Sequence, residues 1–405
     1  MRKVLFVINT MGIGGAERSL LEFLKRLDPQ EFSVDLFVLL GRGELMGQIP
    51  KHVRLLNRRV DCGPLQGMSG QWALARMTAA CFLNNGGLAG KLGSIARGLP
   101  PMLQSGRIQV DKLFWPVVAA GAERPAEPYD AAVAWIEGGS AYFVANYVHA
   151  RRKAAVIHID YAHSGYTRGL DQNCWERFQQ IFVVSEEIQA PFLRTYPEWG
   201  AKLRVLPNII NREAILRRAA EPGGFDDGWQ GPRLLTVGRL TYQKGLDIAV
   251  SAMKLLKEAG YQTRWYVLGE GALRGKLERQ IAALGLQEDF FLLGAVENPY
   301  PYYAQADIYV HATRFEGRSI AIQEAQVLGR PTVVSDCSGN RLQVTDWQDG
   351  LLCALEPEAI AGTVAMLLDD PDLRQRLGRS AGAKRQPGHQ DTGGLVEFLR
   401  GVEAG

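Results

Sequence analysis

The sequence has few cysteines and no CxxC pair among its 405 residues. Its five cysteines are scattered along the chain, which excludes a disulfide framework and a zinc ribbon and indicates a reducing compartment. The sequence also lacks any run of about 18 apolar residues, and no apolar core of a signal peptide follows its first residues. We therefore expect a soluble, cytoplasmic protein.

The remaining composition is that of a globular protein. Apolar residues make up 46% and charged residues 22%, which excludes a mostly disordered or fibrous chain. The length predicts two domains, because a single core rarely serves more than about 250 residues.

The net charge of +3 hides a difference between the two halves of the chain. Residues 1–210 hold 24 Lys and Arg against 18 Asp and Glu, whereas the remainder holds 22 against 25. A basic surface could meet an anionic membrane or nucleic acid, but scattered solvated charge is the simpler explanation. We expect no nucleic-acid partner.

Strand and helix patterns alternate throughout the sequence. In the first half, apolar runs of strand length occur at 4–9, 33–40, 131–136, 154–159 and 180–184. In the second half they occur at 233–237, 264–268, 290–293, 307–311 and 332–335, separated by helical patterns at 246–258, 273–284, 320–328 and 358–368. This alternation predicts an α/β protein with two doubly wound, Rossmann-like domains facing each other across a cleft.

Domain boundaries follow from a change in composition. Residues 219–232 concentrate Gly, Pro and Asp, as an interdomain linker does. We therefore assign 1–218 to the first domain and 233–385 to the second. Residues 386–405 form a tail with a helix that could pack back on the first domain.

A glycine loop follows the first strand. Gly12, Gly14 and Gly15 would let an anion approach the N-terminus of the next helix, where free N–H groups favour negative charge. The dinucleotide fingerprint fails, because Glu17 stands where it needs glycine, and the Walker pattern fails as well. A phosphate site and a tight turn without a ligand both stay open.

Two further motifs leave strands of the second domain at the edge where ligands bind. After residues 233–237, Arg239 and Lys244 could both reach one phosphate group, and they suit a diphosphate whose charge grows during reaction. After residues 307–311, Glu316 and Glu324 stand eight positions apart. If a helix begins near Gly317 or Arg318, the two carboxylates lie roughly along one line.

In combination, these motifs resemble the retaining nucleotide-sugar glycosyltransferases of GT-B architecture, specifically glycosyltransferase family 4. The resemblance covers nearly the whole chain. It rests on GGAE near the start, then VGRLTYQKG, LGEG, FLLGAVEN and the Glu-x7-Glu pattern of RFEGRSIAIQEAQVLGRP, in that order.

The resemblance implies a role for each donor-side motif. Gly14 and Gly15 would approach the donor diphosphate from the first domain, and Arg239 and Lys244 would bind it from the second. The sugar, ribose and base would be met by residues of the later motifs. These are Glu316 for the sugar hydroxyls, Glu324 for the ribose, Val296 within 295–297 for the base, and Gly317, Arg318 and Ser319 as further donor contacts.

The acceptor side of the resemblance points to the end of the strand at 154–159. His158 is the first choice for a catalytic role there, with Asp160 next, although a histidine satisfied by neighbouring backbone stays an alternative. Glu137, in a turn after another strand, could also touch the acceptor. No DxD pattern appears near a strand end, so we expect no metal and no cofactor, the nucleotide sugar being a substrate.

The resemblance implies a hexosyltransferase in bacterial surface polysaccharide or glycolipid assembly, with a UDP-sugar ahead of a GDP-sugar as donor. Its acceptor would be a sugar or a lipid-linked sugar. Residues 90–115 interleave basic and apolar side chains, which predicts peripheral contact with an anionic membrane at its inner face. Two alternatives stay open: a non-catalytic subunit that binds nucleotide sugar, and a nucleotide-sugar epimerase on the same fold.

Overall fold

The computed structural model describes residues 1–63, 65, 67–84, 91–93, 95–97, 99–100, 110–161, 164–386 and 392–401. The chain forms two compact units. The first consists of Met1–Ile209 together with the C-terminal helix, and the second of Ile210–Gln386. None of the helices in these ranges is long and apolar enough to cross a membrane.

The first unit contains, within the described ranges, a parallel sheet of seven strands in the order β3-β2-β1-β4-β5-β6-β7. The strands are β1 (Arg2–Ile8), β2 (Phe32–Val38), β3 (Val53–Leu55), β4 (Tyr129–Ala134), β5 (Ala150–Ile157), β6 (Gln180–Val183) and β7 (Leu203–Val205). The helices are Gly15–Leu24, Met46–Gln48, Gly67–Leu83, Val110–Gly121, Gly139–Tyr147, Arg168–Asp171, Cys174–Arg177, Glu186–Thr195, Pro197–Lys202 and Gly393–Arg400. The central strands are buried on both faces, which explains their continuous apolar sequences.

The second unit contains a parallel sheet of six strands in the order β10-β9-β8-β11-β12-β13. The strands are β8 (Arg233–Val237), β9 (Arg264–Leu268), β10 (Phe290–Gly294), β11 (Ile308–His311), β12 (Thr332–Ser335) and β13 (Leu351–Cys353). The helices are Arg212–Ala219, Tyr242–Lys244, Leu246–Glu258, Arg274–Ala283, Tyr300–Gln305, Ile320–Val327, Ser338–Arg341, Pro357–Asp369 and Pro371–Ala383. The predicted α/β class with two doubly wound parallel sheets is confirmed.

Sequence patterns located every strand except the shortest ones. The bounds predicted for β8, β9 and β12 agree with the structure to the residue. The patterns missed β3, β7 and β13, which have three residues each. Three residues are too few to show a strand period, so only the neighbouring strand specifies them.

The boundary between the units lies earlier than the sequence predicted. The second unit begins at Ile210, so residues 210–218 belong to it and not to the first domain. The physical reason is burial: Ile210 and Ile215 pack in a core with Leu235 and Tyr266 of the second sheet.

The segment 219–232, predicted to be a linker, is fastened to the second unit. Phe225 packs on Tyr266 at 4.4 Å between ring centres. Asp227 accepts hydrogen bonds from Tyr266 and from the guanidinium of Arg264, the latter at 2.9 Å. Burial raises the pKa of Asp227, but these donors outweigh it and lower the pKa below its usual range. Separating this segment from the second unit would leave the Asp227 carboxylate without these donors.

The C-terminal helix Gly393–Arg400 completes the first core. Leu395 and Leu399 are fully buried in that core. Arg400 forms a two-pronged ion pair with Glu31, at 2.8 and 2.9 Å, and Arg152 lies over the ring of Phe398. The first unit is therefore built from both ends of the chain.

Asp171 is a buried carboxylate that several parts of the first unit share. It is 1% exposed, and it accepts hydrogen bonds from the hydroxyls of Tyr142 at 2.8 Å, Tyr161 at 2.7 Å and Tyr196, and from the indole N–H of Trp175 at 3.1 Å. Burial raises the pKa of Asp171, although the four donors oppose that rise. Through these four neutral donors the carboxylate joins one helix, two loops and a 3-10 turn.

Replacing Asp171 should destabilise the first unit. Asp171→Leu leaves four buried donors without their acceptor, and each such loss costs about 1–3 kcal/mol. We expect a loss of at least about 3 kcal/mol in urea unfolding followed by tryptophan fluorescence, and a smaller loss for Asp171→Asn, which keeps one acceptor oxygen. The exposed Asp372→Asn serves as the control. Equal stability of Asp171→Leu and the wild-type chain would contradict this account.

Candidate functional site

The second sheet changes direction between β8 and β11. From β8 the chain builds β9 and β10 on one side, and later β11, β12 and β13 on the other. All neighbouring pairs are parallel, so the loops after β8 and β11 leave the same edge side by side. This is the topological switch point at which α/β sheets bind ligands.

Glycines allow the loops at this edge to touch through their backbones. Gly245 has a φ of +56°, and a Cβ there would lie 2.2 Å from the carbonyl oxygen of Ala312. A Cβ on Gly339, in the short helix Ser338–Arg341 after β12, would lie 2.0 Å from the carbonyl oxygen of Gly317. No other residue type fits at these two positions, so the three loops converge on the segment that carries Glu316.

Glu316 is the centre of this convergence. Its Oε2 contacts Nζ of Lys244 and lies 3.0 Å from Nε2 of His311, the last residue of β11. The side chains of Lys244 and Glu316 are 13% and 12% exposed, and that of His311 is 1% exposed. The structure therefore brings the predicted Lys244 and Glu316 into one partly buried ion pair.

Electrostatics keep Glu316 ionised. Burial raises its pKa, but the charge of Lys244 and the hydrogen bond with His311 outweigh burial and lower the pKa to about 2. Burial and the charge of Lys244 lower the pKa of His311, so its ring is neutral at neutral pH. The site presents a carboxylate held by one cation and one neutral imidazole.

Neighbouring side chains fix the two loops against each other. Gln243 donates to the carbonyl of Phe315 at 2.9 Å, and Thr313 donates to the carbonyl of Gln243 at 2.9 Å. Arg314 forms a two-pronged ion pair with Asp247, at 2.7 and 2.9 Å. These bonds join the start of the helix Leu246–Glu258 to the loop after β11.

Glu324 lies deeper than the sequence suggested. The helix begins at Ile320 and not near Gly317 or Arg318, so the condition under which the two acids would lie along one helical line is not met. Glu316 lies in the loop after β11, and Glu324 lies in the helix. Glu324 is 4% exposed, and its carboxylate accepts hydrogen bonds from Tyr300 at 3.0 Å and from Tyr303 at 3.3 Å.

The segment from Gly317 to Ser319 is tied to the protein interior at one end. Gly317 and Arg318 are half-buried, whereas Ser319 is 5% exposed. The N–H of Ser319 donates to Oε1 of Gln343 at 2.6 Å, and its carbonyl accepts from the same side chain at 2.8 Å. The backbone N–H of Ser319, one of the expected donor contacts, is thus occupied by Gln343.

Arg239 and Val296 lie at the same edge of the sheet, after β8 and β10. Arg239 is exposed, and within the described ranges its guanidinium makes no hydrogen bond or ion pair. Val296 is half-buried against the apolar core beneath it. The next carbonyl, that of Glu297, accepts from Arg218 at 3.2 Å. Arg239 is therefore available to an anion.

The first unit has its own switch point, between β1 and β4. Gly14 caps the helix that Gly15 begins, and a Cβ on Gly14 would lie 2.2 Å from the carboxylate of Glu17. Asn9 joins the two loops by donating to the carbonyl of Glu137 at 3.3 Å and accepting from the N–H of Ser140 at 2.7 Å. An anion that approaches Gly14 would meet the Glu17 carboxylate unless that side chain turns away.

His158 and Asp160 follow β5, as the sequence placed them, and both are half-buried. The N–H of His158 donates to Oε2 of Glu137 at 3.0 Å. Its ring hydrogen-bonds with the backbone of Trp135, while its Nε2 is buried and has no hydrogen-bond partner among the described residues. One ring nitrogen is thus satisfied by neighbouring backbone and the other is not, so the catalytic role and the alternative of a backbone-satisfied histidine both stay predictions.

Sequence reasoning missed His311, Gln243 and Gly339. His311 carried a usable signal, since it ends a buried strand beside the loop of Glu316. Gly339 carried none, because its role depends on a backbone contact with a loop more than twenty residues away. In the part of the chain that the structure describes, no group of three or more His, Cys, Asp or Glu side chains could hold a metal ion.

Residues 229–384, within the second unit, match the protein-family model described as Glycosyl transferases group 1. The chain is 30% identical over 173 residues to the alpha-D-kanosaminyltransferase of Streptomyces kanamyceticus, covering 42% of this chain and 43% of that protein. It is 33% identical over 172 residues to a Campylobacter jejuni protein named N-acetylgalactosamine-N,N'-diacetylbacillosaminyl-diphospho-undecaprenol 4-alpha-N-acetylgalactosaminyltransferase, covering 42% and 45%. The chain spans about half the length of these curated relatives.

Solved structures match along the whole chain. The Anabaena HepE structure in complex with UDP and glucose superposes with a TM-score of 0.68 at 17% identity, covering 99% of this chain and 100% of that one. The TarM structure gives 0.65 at 12% identity, covering 100% and 99%. The second unit therefore matches the model of Glycosyl transferases group 1 over most of its length, and the fold is that of these GT-B structures.

The buried ring of His158 should make the stability of the fold depend on pH. Burial lowers the pKa of His158 to about 4, from 6.5, and the bond with Trp135 only partly opposes this. As pH falls below 6.5, the unfolded chain takes up a proton that the folded chain refuses until about pH 4. The folded state is thus destabilised across that window, by up to about 3 kcal/mol.

His158→Gln should remove this dependence. Urea unfolding of the wild type, His158→Gln and the exposed control His149→Gln at pH 7, 5.5 and 4 measures it. Equal pH dependence of the free energy of unfolding in the wild type and His158→Gln would contradict this account, because it would show that folded and unfolded chains bind the His158 proton equally well.

Proposed function

We propose that this chain is a family 4 glycosyltransferase that moves a hexose-type sugar from a nucleoside diphosphate to an acceptor hydroxyl, with retention of anomeric configuration. The observation that carries the proposal is the Lys244–Glu316 pair at the switch point of a glycosyltransferase group 1 domain. The fold alone would not support it, since Rossmann-like sheets host many reactions.

The charges at the site suit departure of a diphosphate. Arg239 is exposed and available, and Lys244 stands at the same edge of the sheet. Arginine offers two parallel donors to a phosphate and lysine a point charge, so together they stabilise the negative charge that grows on the leaving group. Glu316, ionised and held in place, accepts hydrogen bonds from the hydroxyls of the transferred sugar.

The nucleotide would lie along the neighbouring loops. Glu324 would bind the ribose after exchanging its bonds with Tyr300 and Tyr303, and the backbone around Val296 would meet the base. Gly14 and Gly15 would approach the diphosphate once Glu17 turns away. We propose UDP as the nucleotide, with GDP as the alternative that a binding comparison tests.

Relatives suggest the setting. Their names include a transferase acting on a diphospho-undecaprenol-linked sugar and an amylovoran biosynthesis glycosyltransferase. We therefore propose a sugar or lipid-linked sugar acceptor in surface polysaccharide or glycolipid assembly, at the inner face of the membrane. Much of the stretch 90–115 lies outside the described residues. Trp72 is 71% exposed on a helix that also carries Arg76, and it would add an apolar contact with the membrane. Sedimentation with anionic against neutral vesicles tests membrane contact.

Glu316→Gln should lower turnover sharply. The substitution keeps the shape of the side chain but removes charge-assisted hydrogen bonds, each worth roughly 1.5–3 kcal/mol, so kcat should fall by one or more powers of ten. Release of nucleoside diphosphate from UDP-sugars and GDP-sugars measures it, with His149→Gln as the control. Normal turnover in folded Glu316→Gln would refute the assignment. Binding without turnover in the wild type would instead favour a non-catalytic subunit.

Activity should persist in excess chelator, because Arg239, Lys244 and helix N-termini take the place of a divalent cation in the proposal. Arg239→Ala should lower kcat by roughly a hundredfold, the range for one preorganised donor. Arg239→Lys should recover only part, since a point charge lacks the second prong. Loss of turnover in chelator, restored by magnesium or manganese, would refute the metal-free mechanism and direct attention to Asp160.

A further inference from the structure

One carboxylate oxygen of Glu316 carries two donors. Oε2 faces both Nζ of Lys244 and Nε2 of His311, whereas among the described residues Oε1 has only Gln243, at 3.4 Å. The amide of Gln243 is already bound to the carbonyl of Phe315 at 2.9 Å. Lys244 and His311 are therefore the two groups that hold this carboxylate.

The ring of His311 is fixed on both sides. An ionised carboxylate only accepts hydrogen bonds, so Nε2 of the neutral ring carries the hydrogen. The other nitrogen, Nδ1, then accepts from the hydroxyl of Tyr309, which lies 3.0 Å away in a fully buried side chain. Tyr309 and His311 are two residues apart on β11, so their side chains lie on the same face of the strand. The backbone therefore sets the distance between the hydroxyl and the ring.

Lys244 has two anionic partners in the proposed function. In the absence of the nucleotide sugar Lys244 contacts Glu316, and in its presence Lys244 binds the diphosphate. A lysine that turns to a phosphate leaves a mostly buried carboxylate without its cation, and an uncompensated buried charge is costly and free to reorient. Another hydrogen-bonding group of the protein must therefore hold Glu316 while the nucleotide sugar is bound.

We propose that Lys244 exchanges Glu316 for the donor diphosphate, and that His311 is the positioning residue that keeps the Glu316 carboxylate in place through Nε2–H. This inference rests on the proposed function. It explains why a histidine ends a buried strand at this edge with both ring nitrogens engaged. It also gives Glu316 a second task, that of holding Lys244 until a diphosphate arrives.

The exchange predicts opposite effects on the binding of UDP, which carries no sugar. Glu316→Gln releases Lys244 from its ion pair, so UDP should bind severalfold more tightly. Lys244→Ala should weaken UDP binding tenfold or more, and His311→Leu should leave it within threefold of the wild type. Calorimetric titration of the full chain measures all three variants, with His149→Gln as the control and unfolding temperatures to verify folding.

The positioning role predicts a loss in turnover without a loss in donor binding. His311→Leu should lower kcat tenfold or more at nearly unchanged KM for the donor. His311→Gln should recover part of kcat, because its amide can place an N–H near the same oxygen. Wild-type kcat in His311→Leu, no recovery in His311→Gln, or weaker UDP binding in Glu316→Gln would each overturn the proposal.

Nitrogen NMR of the chain without ligand tests the contact between His311 and Glu316 separately from the proposed function. The His311 ring, assigned by comparison with His311→Gln, should show the tautomer with hydrogen on Nε2, and hydrogen on Nδ1 would overturn the arrangement. That measurement needs no substrate. If the wild type neither binds UDP nor turns over a nucleotide sugar, the proposed function fails while the tautomer still reports on the contact between His311 and Glu316.

Discussion

The contact between Lys244 and Glu316 is the interaction on which the candidate site depends. These residues are far apart in the chain, and only the reversal of strand order between β8 and β11 brings their loops to one point. Burial makes the pairing necessary, because neither charge is well hydrated there. The glycines at 245 and 339 make it possible by letting the loops meet backbone to backbone.

The two units solve the problem of a buried carboxylate in different ways. At Glu316 a cation and an imidazole share one oxygen, an arrangement that one partner can leave. At Asp171 four neutral donors surround the carboxylate, and none of them carries a charge that a ligand could draw away. The first arrangement suits a group that must respond to substrate, and the second suits a fixed structural joint.

Sequence patterns predicted the elements better than their contacts. The sheets and the motif loops follow from apolar runs and glycines, which are local signals, and the Glu-x7-Glu pattern pointed to the right edge. The pairing of Lys244 with Glu316 and the burial of Glu324 depend on side chains that meet across the sheet. Composition misled at 219–232, where Gly and Pro suggested a free linker. The carboxylate of Asp227 and the ring of Phe225 fasten this segment to the second unit.

The helix Gly393–Arg400 gives the order of synthesis a consequence. It supplies Leu395 and Leu399 to a core whose other members precede residue 210, yet the ribosome makes it only after the whole second unit. During translation the second unit can therefore complete its core while the first unit still exposes the apolar surface that its last helix will cover. The half of the protein that is made first is thus the half whose last core residues are made last.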